Sequence, residues 1–398
     1  MNYFLYTNKF HKIIFRKIYI FKINPNEFTL RNLLVYYLSL ACQKYPTEDK
    51  YSVYLSELYN CRYTTKLTTY GNYTAINLQL TAVDPKYIQD ENYTYSDIYQ
   101  CFNNCNNPVI IDNNFDKNLF NKAKELYLSG LLYNEENEAK KANKSMIHSF
   151  FNNTSRDFDK DGNIDELKKI TCKQLYNYYL KFLDEYSVSY VVGDVEDKYN
   201  QTSNLDICKI DNYLFKDRIK HPNYIEVPSD TSQTYINIIY DINIYNTDNL
   251  FYSALFLNYH LGGSSNSKLF RIVREKYGLC YSVNSYLYGA SGILIISVVS
   301  NKSNKDKIIE AINESIDNLL DDFDLENIKT TFMLEKKEAN DYITSMLDDH
   351  FYTNIFVNYK SLSEELDIIN NITLNDIKEV YKLLKPSLIH IYGGDNNE

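Results

Sequence analysis

The sequence of 398 residues is most informative in what it has little of. It contains no tryptophan, only 11 glycines and 7 prolines, and its six histidines never occur as a pair at the spacing of metal ligands. Basic residues are outnumbered, 42 Lys and Arg against 52 Asp and Glu, so the formal net charge is −10. Surfaces that bind phosphate backbones or anionic membranes are generally basic. The composition therefore argues against nucleic acid and against a membrane as partners.

Long uninterrupted apolar segments are also missing. Lysines and an arginine interrupt residues 1–23, so no signal-peptide core is predicted there. The uncharged stretch 278–301 is rich in Ser, Asn and β-branched residues, which favours a buried hairpin over a membrane span. We therefore expect a cytoplasmic protein.

The seven cysteines are odd in number and widely scattered, which is typical of free thiols in a reducing compartment. Cys101 and Cys105 have the spacing of half a metal site, but no second pair of Cys or His lies at matching spacing. We interpret both as structural residues.

Length and hydrophobic pattern predict two α+β domains. The chain is longer than one hydrophobic core usually supports, and its 44% hydrophobic content is that of a folded protein. Residues 12–23 predict a strand, and 30–41 show the i, i+3, i+4 pattern of a helix with one buried face. Residues 196–228 are polar and show no sustained period, so they are predicted to link a first domain, 1–195, to a second, 229–398.

The two halves of the chain resemble each other. A gapless shift of 218 positions places Glu57, Tyr59, Tyr63, Tyr70 and Gly71 on Glu275, Tyr277, Tyr281, Tyr288 and Gly289. In the strand that follows, every second residue is apolar at matching positions of the two halves. A helix followed by a two-stranded hairpin thus occurs twice, which predicts a duplicated α+β domain.

Residues 261–283, LGGSSNSKLFRIVREKYGLCYSV, resemble the C-terminal domain of insulinase-like zinc peptidases, the family of pitrilysin and the mitochondrial processing peptidase. The first half is similar to a non-catalytic bacterial subgroup named for its association with elongation factor P modification, through QKYPT (43–47), YLSELY (54–59) and YVVGD (190–194). The resemblance implies two duplicated α+β domains, each an antiparallel-rich sheet covered by helices, arranged as a half-shell.

Active members of that family carry the motif H-x-x-E-H on a helix of the first half. Two His four residues apart share one helix face and bind Zn²⁺ beside a general base. The turn at 44–46 aligns the motif with residues 32–36, Asn-Leu-Leu-Val-Tyr, and 28–47 contains no His, Asp or Glu. The later Glu ligand falls near Ser129 and Gly130. The resemblance thus implies no catalytic residue, no metal ligand and no cofactor in this chain.

The resemblance also assigns two residues of the second half to substrate binding. In the family an Arg and a Tyr seven residues apart hold the substrate backbone, and here they match Arg274 and Tyr281. Arginine offers forked donors to a peptide carbonyl, and a tyrosyl hydroxyl donates to a developing oxyanion. From residue types alone the simpler interpretation is structural, with Arg274 paired to a carboxylate and Tyr281 packed in the hairpin.

The segment Asp157 to Asp165 follows the pattern of a calcium-binding loop through its ninth position. The twelfth position, where a bidentate Glu is needed, is Lys168. We therefore prefer a surface loop to a calcium site.

Together these features predict a catalytically inactive insulinase-like homologue that binds and positions a peptide. Its expected partner is a zinc-bearing paralogue in a heterodimer, with a homodimer as the alternative. Two further hypotheses are an active zinc metallopeptidase with unconventional ligands, such as Cys42 with Tyr36 and a distant carboxylate, and a stand-alone peptide-binding scaffold.

Overall fold

The computed structural model describes residues 2–195 and 209–393. The strands within these ranges are β1 Asn2–Tyr6, β2 Lys12–Lys22, β3 Arg62–Tyr70, β4 Tyr73–Val83, β5 Ile110–Ile111, β6 Asn114–Phe115, β7 Ser187–Gly193, β8 Tyr224–Val227, β9 Thr234–Asp241, β10 Ser282–Tyr288, β11 Ile293–Ser300 and β12 Pro386–Tyr392. The α-helices are α1 Phe28–Leu40, α2 Glu48–Glu57, α3 Tyr95–Cys105, α4 Lys117–Glu136, α5 Glu138–Phe151, α6 Ile164–Lys169, α7 Cys172–Phe182, α8 Phe251–Asn258, α9 Lys305–Asp317, α10 Leu325–Ala339, α11 Ile343–Ile355, α12 Leu362–Asn371 and α13 Leu374–Tyr381. Two π-helical segments, Tyr259–Gly263 and Phe270–Lys276, follow α8.

The two five-stranded sheets have the same topology. The first has the order β3-β4-β2-β7-β1 and the second the order β10-β11-β9-β12-β8. In both, neighbours pair antiparallel except the last two, β7 with β1 and β12 with β8, which are parallel. The hairpins that the 218-residue shift superposes, β3–β4 and β10–β11, lie at equivalent edges. The prediction of a duplicated, antiparallel-rich α+β fold is confirmed.

Local sequence explains the elements that lead to the candidate site. Apart from its ends, β2 is almost entirely buried, as expected for a strand in the middle of a sheet with both faces covered. The hydrophobic face predicted for α1 packs against α4 and β3, with Leu33, Leu34 and Tyr37 in the core. Thr47 caps α2 by accepting a hydrogen bond from the backbone N–H of Lys50.

Contacts between residues divide the chain into two compact units. Each unit is built from three stretches of sequence, so the units interleave along the chain. The first comprises Met1–Glu136, Asp159–Lys209 and Asn340–Ile355, and the second comprises Asn137–Phe158, Ile210–Ala339 and Phe356–Glu398. Burial explains the interleaving. Aromatic and aliphatic side chains of α5 lie in one core cluster with β9, β11 and β12, whereas α11 packs against β7.

The predicted division into 1–195, a linker 196–228 and 229–398 is contiguous in sequence, and the contact units differ from it at both interleaved segments. Part of the predicted linker is ordered structure, because β8 pairs with β12 at the edge of the second sheet. Residues 196–208 of that linker lie outside the described residues.

Candidate functional site

Arg274 lies exposed on the second π-helical segment. Its guanidinium carbon is 5.1 Å from the centroid of the Phe270 ring, and it forms no ion pair within residues 2–195 and 209–393. Burial raises the pKa of the neighbouring Cys280 thiol, and the charge of Arg274 opposes that rise. The Arg274 carbonyl accepts a hydrogen bond from Gly278, whose φ of 61° ends the helix in the left-handed region. The carboxylate pairing that would make Arg274 structural is therefore absent from the described chain.

Tyr281 immediately precedes β10. Its backbone N–H donates to Val299 O at 2.9 Å, and its hydroxyl donates to Asn301 Oδ1 at 3.0 Å, while the side chain is 56% exposed. The described structure records no hydrogen bond between Tyr281 and Arg274. Tyr281 is thus held by the start of the hairpin with its ring in solvent, and the assignment of both residues to substrate binding stays a prediction.

A groove of about 410 Å³ borders the first π-helical segment and β10. Its lining includes Gly262, Gly263, Asn284 and Tyr286. A Cβ at Gly262 would come within 2.7 Å of the Ser285 backbone nitrogen, so only glycine allows this close approach. Since β10 is an edge strand, one row of its backbone groups has no neighbouring strand in the described sheet.

Asp322 joins the two π-helical segments through ionic contacts. One of its carboxylate oxygens lies 2.5 Å from Lys268 Nζ and 3.3 Å from His260 Nε2, and the other lies 2.7 Å from Arg271 Nη1. Partial burial acts to raise the pKa of Asp322, but hydrogen bonds and charges from Lys268 and Arg271 outweigh it and lower that pKa strongly. This cluster fixes the segment that carries Arg274, and the sequence analysis missed it because Asp322 lies some fifty residues further along the chain.

Zinc does not fit the residues at the aligned motif position. Asn32 donates from Nδ2 to Phe28 O and Lys160 O, both at 2.9 Å. Tyr36 stacks on Tyr127 of α4, and a Cβ at Gly130 would lie 3.2 Å from the Tyr36 hydroxyl. The donor set offers neither imidazole nor carboxylate. Across residues 2–195 and 209–393, no group of three or more His, Cys, Asp or Glu is placed to hold a metal ion.

The unconventional ligands are not brought together either. The Cys42 side chain is completely buried in a core cluster with Cys61, Cys101 and Cys105, whereas Tyr36 packs against a different cluster. Cys101 Sγ and Cys105 Sγ are 3.9 Å apart on α3, as their spacing of four residues allows. The convergence of four thiols was not expected, because Cys61 is forty residues from Cys101. Cys208 lies outside the described residues.

The acidic loop after α5 is used for hydrogen bonds. The Asp161 carbonyl accepts from the Tyr127 hydroxyl at 2.5 Å, and Asp159 Oδ1 accepts from the Asp161 N–H at 2.9 Å. Lys168, at the twelfth position, lies 3.7 Å from Asp165 Oδ1. These contacts are those of a capped turn leading into α6.

Comparison with known proteins agrees with this geometry. Residues 169–332 match the family model described as Peptidase M16 inactive domain. The Bacillus subtilis protein YmfF, named "Probable inactive metalloprotease", is 24% identical over 89% of this chain and 86% of its own length. YmxG of the same organism, an "Uncharacterized zinc protease", is 30% identical over 33% of this chain and 34% of its own length.

Two solved structures show the same fold. A conserved protein from Enterococcus faecalis superposes with a TM-score of 0.86 and 21% identity, covering 100% of this chain and 97% of the other. A peptidase M16 inactive domain from Pseudomonas fluorescens gives 0.73 and 15%, covering 100% and 96%. The chain is thus a homologue of insulinase-like, or M16, peptidases: residues 169–332 match the M16 inactive domain, and the similarity to a relative named as inactive extends over most of the chain, which supports a non-catalytic homologue. The finer resemblance to the subgroup associated with elongation factor P modification stays a prediction.

No helix in the described ranges is both long enough and apolar enough to cross a membrane.

Proposed function

We propose that this chain binds an extended polypeptide and presents it, with Arg274 and Tyr281, to the metal centre of a zinc-bearing paralogue. The observation that carries the proposal is the exposed Arg274 guanidinium, which has no ion-pair partner in the described chain. A guanidinium has five N–H donors and no acceptor, and it binds peptide carbonyls and carboxylates through its planar fork. Such a group is available to a peptide only if the fold leaves it unpaired.

The surroundings of Arg274 suit an extended ligand. β10 is a sheet edge, and an added strand would satisfy its free backbone N–H and C=O groups. The groove along Gly262, Gly263 and β10 offers room for alternate side chains of that strand. Tyr281, at the beginning of β10, places its exposed ring at one end of the same edge. Binding would thus depend on main-chain hydrogen bonds, with Arg274 adding charge at one position.

The pairing with a paralogue follows from the chemistry that the chain lacks. The residues on α1 do not supply zinc ligands, so hydrolysis would require a second subunit that does. The partial similarity to a protein named as a zinc protease supports the existence of such relatives. A heterodimer is our first expectation, and a homodimer or a stand-alone scaffold would be indicated if the chain purified without any zinc-bearing paralogue.

We also propose a cytoplasmic location. Six cysteines in the described chain are free thiols, and free thiols are usual where the compartment is reducing.

Reconstitution tests this function. Hydrolysis of a quenched fluorescent peptide would be measured for the paralogue alone, for the paralogue with this chain, and for mixtures containing Arg274→Gln or Tyr281→Phe. We expect this chain to raise the rate, and loss of an oxyanion donor at Tyr281 to lower it by roughly a hundredfold. Lys276→Gln is the matched control, since it removes an exposed charge from the same helical segment. Chelator-sensitive hydrolysis by this chain with zinc alone would refute the proposal.

A further inference from the structure

The sheet of the first unit has a concave, cationic surface that the function proposed above does not use. Its volume is about 640 Å³, and no carboxylate of the described residues lines it. The residues that define this surface are Lys12 on β2, Arg62, Thr64 and Lys66 on β3, and Gln79 and Thr81 on β4. In a protein with a net charge of −10, a surface whose only charged lining residues in the described chain are three cations is a local exception.

Strand geometry places these groups in rows. Successive side chains of a strand alternate between the two faces, so Arg62, Thr64 and Lys66 point to the same face. On the neighbouring strand, Thr81 pairs with Arg62 and Gln79 with Thr64. Arg62 and Lys66 are four residues apart, which corresponds to about 13 Å along a strand.

The three cations are not neutralised by the protein. Lys12, Arg62 and Lys66 are exposed and form no ion pair within the described ranges. On the chain near Thr344, which also borders the surface, Asp341 pairs with Lys9 and Asp348 pairs with Arg16 at 2.5 Å. Charges left unpaired on an open surface favour an anionic ligand.

The edge position of β3 decides which kind of anion fits. β3 is the last strand of its sheet, so one row of its N–H and C=O groups faces no other strand of the described chain. A polypeptide satisfies that row by adding as a strand, whereas a nucleic acid has no matching series of donors and acceptors. When two strands pair, residues directly opposite each other point to the same face, and opposite charges at such positions attract each other.

We infer that this cationic surface selects acidic polypeptide segments, with carboxylates four residues apart positioned opposite Arg62 and Lys66. The inference depends on the proposed function only in that the ligand is an extended polypeptide. It adds a charge preference and a spacing, and it places the selecting residues in the first unit.

Fluorescence anisotropy with labelled ten-residue peptides tests the charge preference. The first peptide carries Glu at positions 3 and 7 in a Thr-rich background, the second carries Glu at 3 and 6, which point to opposite faces of a strand, and the third carries Gln at 3 and 7. We expect the first to bind roughly fivefold more tightly than the others, with the advantage falling as salt is added. Arg62→Gln combined with Lys66→Gln should abolish the advantage. Lys122→Gln, at an exposed position on α4, should leave it unchanged.

The outcomes separate the two proposals. If the acidic and neutral peptides bind equally well, the charge recognition is overturned while peptide binding stands. If no peptide binds at any charge, both are overturned. Tighter binding of a single-stranded oligonucleotide of the same length than of the first peptide would also overturn the inference, because the surface would then be a general anion site.

Discussion

The rings of Tyr36 on α1 and Tyr127 on α4 stack with their centroids 5.3 Å apart and their planes at 23°. Tyr36 is at the position aligned with the second histidine of the family's zinc motif. Gly130, near the position of the later glutamate ligand, is the neighbour of the Tyr36 hydroxyl. At the position aligned with the zinc motif, the contact between these two helices is therefore aromatic packing.

Introducing histidines at this position should create a metal site. In the double variant Asn32→His, Tyr36→His, the two imidazoles would be four residues apart on one face of α1. A metal that binds only the folded state stabilises it, by about 2.7 kcal/mol at a hundredfold excess over Kd. We expect Ni²⁺ or Zn²⁺ to raise the melting temperature of the variant by several degrees, as measured by differential scanning fluorimetry. Neither the parent chain nor Asn32→His alone should respond, and a response of the parent chain would contradict the assignment.

The ion cluster at Asp322 should stabilise the segment that carries Arg274. Asp322→Asn would leave Lys268, whose side chain is only 9% exposed, without its carboxylate. Because Asp322 itself is 42% exposed and screened by solvent, we expect a loss of only about 1–2 kcal/mol in the free energy of unfolding by urea. Asp321→Asn, one residue away and exposed, should change it by less than about 0.5 kcal/mol.

The same carboxylate predicts a dependence on pH. The pKa of Asp322 in the folded protein lies below its ordinary value of 3.8. Its contribution is therefore complete above that value and is lost as the pH falls below it. The difference in stability between the parent chain and Asp322→Asn should shrink toward acid pH, whereas a constant difference would show that packing alone is responsible.

His390 should make the protein less stable in mild acid. It is completely buried on β12, with Nε2 3.0 Å from Ser145 Oγ, and burial lowers its pKa from 6.5 to about 4. Between these values the unfolded chain binds a proton that the folded chain does not, so stability falls as the pH drops from 6.5 toward 4. Each unit of pKa shift corresponds to about 1.4 kcal/mol, which gives about 3 kcal/mol over the range.

Urea unfolding at pH 7 and pH 4.5 measures this effect. His390→Gln keeps a polar side chain without a titrating ring, and its stability should change less between the two pH values than that of the parent chain. His11→Gln, at an exposed position, is the control. Equal pH dependence in all three proteins would refute the assignment to His390.

The two glycines beside the candidate site should differ in their tolerance of alanine. At Gly262 an added Cβ would come within 2.7 Å of the Ser285 backbone, so something must shift, and we expect a loss of about 2–3 kcal/mol. At Gly278 an added Cβ meets no atom within 4 Å, and only the positive φ is unfavourable, at about 1 kcal/mol. Thermal unfolding of Gly262→Ala and Gly278→Ala compares the two costs. A smaller loss at Gly262 than at Gly278 would be inconsistent with the close approach of β10.

Elements with a clear period were predicted well. The strand predicted at 12–23 agrees with β2 within a residue and the helix predicted at 30–41 agrees with α1 within two, because burial of one face or of a whole strand leaves its pattern in the sequence. The short strand β8 and the helix α11 were missed. β8 lies in the polar stretch that was predicted as a linker.

The candidate site was predictable only in part. The types and spacing of Arg274 and Tyr281 come from the sequence, since they lie in one short segment whose resemblance extends over 23 residues. Only the tertiary structure shows that both residues are exposed and that Arg274 has no ion-pair partner in the described chain. Asp322, which holds the segment in place, gives no local signal.

The sequence alone determined that this chain has no zinc motif and that its hairpin is duplicated, because both are properties of residues close together along the chain. Tertiary structure decided what packs at the position aligned with the zinc motif, where α5 and α11 pack, and which cations of the described chain remain unpaired. These depend on side chains that are far apart in sequence and meet only when the sheets and helices bury their apolar faces together.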